Sequence, residues 1–338
     1  MKTLYLSNDQ QDIARAAEIL RNGGIVAIPT ETVYGLAGNA LRGDCVKKIF
    51  DAKGRPSDNP LIVHISDISQ WAPLVKSIPE SAMALAEKYW PGPLTVILPK
   101  SDIIPKEICG KLDTVAVRMP SDETARAIID TCSFPLAAPS ANTSGKPSPT
   151  TASHVRADLD GRVDAIVDGG ECSVGIESTV ISLADEVPRL LRPGGITPEM
   201  LTEVLGEIVI DDAVYNKLAD GAVAASPGMK YKHYSPDAEV VIIKSSFEQY
   251  KKYIDENGTS DDVALCFEEE VSDLSIKCIT YGKKDDPSSQ AKHIFDALRQ
   301  VDKAKAKTVF ARFPEKEGIG LAVFNRLVRA AAFNIIEL

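Results

Sequence analysis

The chain has 338 residues, 44% apolar and 25% charged, an ordinary globular composition at a length that exceeds what one hydrophobic core usually supports, so two domains are expected. A formal net charge of −10 argues against a general nucleic-acid coat but leaves room for a local basic pocket. No run approaches a membrane span, and the opening MKTLYLSNDQQD lacks the apolar stretch of a secretory signal, so a cytosolic protein is expected.

In chain order, Ser7 with Gln10 reads as a capping box that opens a helix with the apolar stripe Ile13, Ala16, Ala17 and Leu20. Gly23 and Gly24 end it, and Gly24 to Pro29 follows as a short buried strand. Further strands are predicted at Leu61 to Ile65, Leu94 to Leu98, Thr114 to Met119, Pro135 to Pro139, Asp164 to Asp168, Ser178 to Leu183 and Arg189 to Arg192. Helical patterns such as SAMALAEKYW lie between several of them, giving a mixed α/β domain over residues 1–205, with strand order unread. Residues 206–237, ending in SPGMKYKHYSP, read as a linker. Over 238–338, strand patterns (AEVVIIK, DVALCF, SIKCIT, KTVFARF) alternate with helical ones, which predicts a small parallel α/β domain without a G-x-G-x-x-G turn.

Standard site signatures are missing. SANTSGKPS lacks the first glycine of a Walker A loop, and neither a G-x-S-x-G elbow nor H-E-x-x-H occurs. Four scattered histidines and six cysteines without a CxxC pair give no metal or dithiol site, and the thiols read as small buried hydrophobes. Chemistry must therefore rest on positioned polar groups and an incoming nucleophile.

Four polar segments interrupt the first domain where strands end, the default ligand positions of α/β folds. In PTETVYGL, Thr30 and Thr32 suit a small polar ligand and Tyr34 suits a cover, or the threonines simply cap a turn. In KGRPSDNPLIVHI, Lys53 and Arg55 flank a glycine as a point charge and a bidentate fork for a polyphosphate, or stand as solvated charges; His64 follows on a strand, as ligand or core residue. Alternation over Thr114 to Met119 places Arg118 on one face with Thr114 and Ala116, where it needs a carboxylate from either the protein or a ligand. AAPSANTSGKPSPTT offers hydroxyl and amide donors for an anion, and Ser178 and Arg192 stand at a strand start and a strand end.

At these segments the sequence resembles the two-domain form of the YrdC-like family. The likeness runs through IPTETVYGLAGNA, KGRPSDNPLIVHI, WPGPLTVILPK, DTVAVRMP, APSANTSGKPSPT, GIESTVISL, LLRPG and SPGMKYKHYSP in family order, and GIGLAVFNRLVRAA resembles the family's extra C-terminal domain. The resemblance implies a twisted mixed-sheet domain with a concave active-site cleft, followed by a Rossmann-like parallel α/β domain. It implies adenylyl transfer: L-threonine, bicarbonate or CO2, and ATP give threonylcarbamoyl-AMP and pyrophosphate. The threonylcarbamoyl group then passes to the adenosine beside a tRNA anticodon through other proteins. Carried over, Thr32, His64, Arg118, Ala138 and Ser178 match the threonine pocket, with Arg118 on the amino-acid carboxylate. Lys53, Arg55, Asn59, Thr114, Ser140, Asn142, Ser148 and Arg192 match positions around ATP, Lys53 and Arg55 stabilising charge, and Lys230, Tyr231, His233 and Tyr234 match a lid. Mg2+ is expected with ATP, without dedicated protein ligands. The rival readings are an RNA-binding module of the same fold, with direct tRNA contact, and a carbamoyl-transferring relative that does not use threonine.

Overall fold

The computed structural model describes residues 2–57, 59–217 and 234–338. The first sheet has eleven strands, in the order β1 (Leu4–Leu6), β8 (Ala165–Val167), β2 (Val26–Ile28), β3 (Gly35–Asn39), β7 (Leu136–Ala137), β4 (Ile62–His64), β6 (Thr114–Arg118), β5 (Leu94–Pro99), β9 (Thr179–Ser182), β10 (Arg189–Arg192) and β11 (Val209–Ile210). It is mixed: β1, β8 and β2 run parallel, as do β4 with β6, β5 with β9 and β10 with β11, and the other neighbours are antiparallel.

Period-2 alternation buries both faces of this sheet. Ile25 and Ala27 join Val46, Ile49 and Phe50 of helix Gly43–Lys53. Val26 and Ile28 pack on the other side with Ala16, Ala17 and Leu20 of helix Gln10–Arg21 and Ile128 and Ile129 of helix Glu123–Cys132.

Three local expectations are corrected. The first helix is capped by Asp9, whose side chain accepts from the Asp12 N–H, while the Ser7 hydroxyl bridges the Asp9 and Asp12 carboxylates. A carboxylate at the positive helix end displaces the earlier hydroxyl as the cap. β3, GLAGN, carries little strand propensity and was not expected; a Cβ at its glycines would sit 3.1 Å from Ala138 Cβ (Gly35) and 3.1 Å from Ile49 Cδ1 (Gly38), so close packing selects glycine over strand formers. Finally, the sheet runs into the segment read as linker, because Val209 and Ile210 pair with Arg189 and Leu190.

The second sheet is fully parallel, in the order β14 (Lys277–Thr280), β13 (Val263–Cys266), β15 (Thr308–Arg312), β12 (Glu239–Lys244) and β16 (Ile335–Glu337). Val240 and Ile242 face helices Pro287–Ala304 and Gly320–Ala330, and Val241 and Ile243 face helix Phe247–Asn257. A parallel sheet covered on both faces explains the near-continuous apolar strands.

The two units share a core: Val33 and Ile176 of the first belong to the same apolar cluster as Phe295, Phe324 and Leu327 of the second. Every residue of helix Gly320–Ala330 is buried. Among the described residues, all six cysteines are unpaired and no helix is long and apolar enough to cross a membrane.

Candidate functional site

Several strands of the first sheet end in charged or polar side chains at one place. His64 closes β4 and Arg118 closes β6, directly paired across the ladder, and Arg192 closes β10. Ser178 stands just before β9, within 2.8 Å of the Thr95 hydroxyl of β5. The loop after β2 adds Thr30 and Thr32, hydroxyl oxygens 2.9 Å apart, with Thr30 donating to the Val33 carbonyl.

Arg118 is buried, and its partner here is a protein carboxylate. Nη2 lies 2.8 Å from Glu31 Oε1, Nη1 donates to Thr32 Oγ1 at 2.8 Å, and Nε donates to the Gly92 carbonyl. Burial alone raises the Glu31 carboxyl, but the Arg118 charge and hydrogen bond outweigh it and hold Glu31 below the usual carboxylate range. The same burial, with the Arg118 charge, pushes His64 down to about 3, so this imidazole is neutral at physiological pH. Its Nδ1 lies 3.2 Å from the Ile62 carbonyl.

Lys53 and Arg55 are separated by Gly54, whose left-handed conformation (φ 62°, ψ 35°) ends helix Gly43–Lys53 and turns the chain. The Lys53 ammonium lies fully buried under the Ser140–Ser148 loop, donating to the Ser140 carbonyl and, at 2.7 Å, to the Asn142 carbonyl. The Lys53 carbonyl in turn accepts from the Ser144 N–H. Burial, reinforced by the Arg55 charge, drives the Lys53 pKa well below its ordinary value. Asn142 donates to the Thr143 and Lys146 carbonyls, so the loop is an ordered coil around its own amide. Arg192 donates to the Ser178 carbonyl and hydroxyl, both at 3.0 Å, and burial pushes it down to about 10, leaving it cationic at neutral pH.

These segments bound one cleft. Of the residues singled out in the sequence, Thr32, Lys53, Arg55, His64, Arg118, Ala138, Ser140, Asn142, Ser148, Ser178, Arg192 and Tyr234 line it. Asn59 is buried nearby but is not among the lining residues, and Thr114 opens β6 about 13 Å from Arg118 at the far end of the strand. Lys230, Tyr231 and His233 lie outside the described residues. Tyr34 does not cover the cleft: its ring is buried in the core, where its hydroxyl donates to the Gly170 carbonyl at 2.7 Å.

Glu177 is a lining residue that sequence reasoning passed over. Its carboxylate accepts from the Ser148 hydroxyl at 2.5 Å and from Arg326 Nε of the second unit at 2.8 Å. Burial raises this carboxyl, and the Arg326 and Arg192 charges outweigh it to leave a net lowering. The overlooked signal was an acid inside the apolar stretch GIESTVISL, where a buried charge requires partners.

Comparisons with known proteins match the whole chain. The Sua5, YciO and YrdC family model, described as "Telomere recombination", matches residues 18–194, and the "Threonylcarbamoyl-AMP synthase, C-terminal domain" model matches residues 196–332. The chain is 47% identical to the threonylcarbamoyl-AMP synthase of Pyrococcus abyssi, covering 97% of this chain and 96% of that protein. It is also 47% identical to the Bacillus subtilis enzyme of the same name, covering 98% and 96%. The crystal structure of P. abyssi Sua5 complexed with L-threonine superposes with a TM-score of 0.91 at 44% identity, covering 100% of each chain.

Proposed function

The chain belongs to the Sua5–YrdC family in its two-domain form, and from that premise we propose that it is an enzyme that converts L-threonine, bicarbonate or CO2, and ATP into threonylcarbamoyl-AMP and pyrophosphate. This is the first step in forming N6-threonylcarbamoyladenosine in tRNA. The observation that carries the reading is the convergence of Arg55, Arg118, Ser140 and Ser178, from four distant stretches, on one cleft.

Chemically the reaction is an adenylyl transfer. The threonine amine adds to CO2 and loses a proton, and a carbamate oxygen then attacks the α-phosphorus, expelling pyrophosphate. The nucleophile belongs to the substrate, so the reaction needs no covalent protein nucleophile. Thr32, His64, Arg118, Ala138 and Ser178 form the threonine side. Arg118 meets the amino-acid carboxylate while Glu31 keeps it oriented, and neutral His64 adds polarity without competing charge.

Arg55, Ser140, Asn142, Ser148 and Arg192 form the nucleotide side, with Asn59 and Thr114 as more distant members. Arg55 and Arg192 offset triphosphate charge, and Lys53 acts on the nucleotide through the loop it holds. Tyr234, which lines the cleft, helps shield the labile mixed anhydride from water. Mg2+ enters as part of the MgATP substrate, carried mainly by the phosphates. The product is handed, in the cytoplasm, to a tRNA-transfer system. Incubation of the pure protein with ATP, bicarbonate and candidate amino acids tests the proposal: pyrophosphate release that depends on both threonine and bicarbonate is expected, and release independent of either sinks it.

A further inference from the structure

Among the contacts of the second unit with the first, one buried side chain meets a residue that lines the cleft. Helix Gly320–Ala330 is apolar around most of its circumference, yet it carries Arg326, which has no exposed surface. Such a guanidinium must place its donors on fixed acceptors. Nε meets Glu177 Oε2 at 2.8 Å, Nη2 meets the Glu177 carbonyl at 3.3 Å, and Nη1 meets Asn325 Oδ1 at 3.0 Å. Asn325 is itself tied to the Val214 carbonyl at 2.8 Å, so the arginine is braced from behind. The guanidinium also lies 5.9 Å from the centre of the Tyr234 ring, which lines the cleft.

The consequence for Ser148 follows from hydrogen-bond direction. An ionised carboxylate only accepts, so the single hydroxyl proton of Ser148 is committed to Glu177 Oε1. Ser148 therefore faces the cleft with lone pairs alone. Without Arg326 the carboxylate loses its hydrogen-bonded cation, and only the Arg192 charge is left to offset burial. That shifts Glu177 toward the protonated form, which can donate to Ser148 and free the serine proton to point into the cleft. We propose that Arg326 is a positioning residue of the nucleotide site: by holding the Glu177 carboxylate it keeps the Ser148 hydroxyl oriented to accept, not donate, a hydrogen bond from the nucleotide. The second unit is thereby part of the machinery that sets the site's hydrogen-bonding pattern.

The inference rests on reading the cleft as a nucleotide site, so its test reads binding separately from turnover. Calorimetry gives the ATP and threonine dissociation constants of the full chain, of Arg326→Met, which removes the cation beside Glu177, of Ser148→Ala and of the double variant. Each single change is expected to weaken ATP about 10-fold, the scale of one charge-assisted hydrogen bond. The double variant is expected near about 10-fold also, not the roughly 100-fold of independent sites. Threonine affinity is expected to stay within about 2-fold, because the Glu177 carboxylate that Arg326 holds reaches Ser148, and Arg326 meets the threonine side only at the backbone carbonyl that precedes Ser178. Unchanged ATP affinity in either single variant, additive losses in the double, or equal losses for both ligands overturn the proposal. If Arg326→Met does not fold, Glu177→Gln replaces it in the same cycle with the same criteria. A wild-type chain that binds ATP without threonine-dependent pyrophosphate release sinks the proposed reaction yet leaves this cycle decisive, and one that binds no ATP overturns both.

Discussion

Both units end a central strand with a buried arginine, and the two arginines have opposite surroundings. Arg118, at the end of β6, shares its donors among Glu31, Thr32 and the Gly92 carbonyl and lines an open cleft. Arg312, at the end of β15, is chelated through Nε by both oxygens of Glu270 at 2.9 and 3.1 Å, with Nη1 on the Ser245 carbonyl. The rings of Phe247, Tyr250 and Phe267 close around it at 5.0 to 5.9 Å. A charged residue at the carboxyl end of a strand is thus no site by itself. It becomes one where threonine-rich turns replace aromatic rings and leave room for a ligand.

The largest expected effect breaks the comparison on the first side. Arg118→Ala removes the partner of buried Glu31, costing about 3–5 kcal/mol of stability, and raises the threonine requirement roughly 10-fold or more. Chemical denaturation and pyrophosphate kinetics check both; an unchanged threonine requirement in the folded variant removes Arg118 from the pocket. Next, Arg312→Met is expected to cost a similar roughly 3–5 kcal/mol while leaving the Michaelis constants for ATP and threonine within about 2-fold. A shift in either constant would mean that the second unit's strand ends are functional.

The smallest effect sharpens the first side through pH. The folded His64 ring takes its proton only near about 3, whereas an unfolded histidine does so near 6.5. Between those values the unfolded state holds the extra proton, so this group's contribution to stability falls as pH is lowered below 6.5. His64→Gln should therefore flatten the acid limb of the stability curve by up to about 1.4 kcal/mol per pH unit between roughly pH 6 and 4. Parallel limbs in the two proteins would show that the ring is not buried neutral.

Much of the site was legible because strand alternation is local. The pattern Thr114 to Met119 put Arg118 on one face, and the ladder places Val115 and Val117 in the core on the other. The need for a carboxylate partner was also legible, but its identity was not. Glu31 lies 87 positions away, and the two meet only because β7 inserts between β3 and β4 and sets the sheet order. Tyr34 misled for the related reason that a loop residue's direction depends on distant glycines, here Gly169 and Gly170. The family likeness supplied residue roles that spacing alone left open. Arg326 had a readable signal, since GLAVFNRLVRAA is apolar around nearly its whole circumference and a helix of that kind is buried. What sequence withheld was where its lone cations must reach.

The apolar cluster common to both units limits how such a protein can be rearranged over time. A chain that lost everything after residue 237 would bare Val33 and Ile176 to water and leave Glu177 without its Arg326 partner in the middle of the nucleotide cradle. Inheriting the first unit alone thus demands coordinated edits at those positions. The seam between the units behaves as a ratchet, easy to retain across generations and hard to undo by a single deletion.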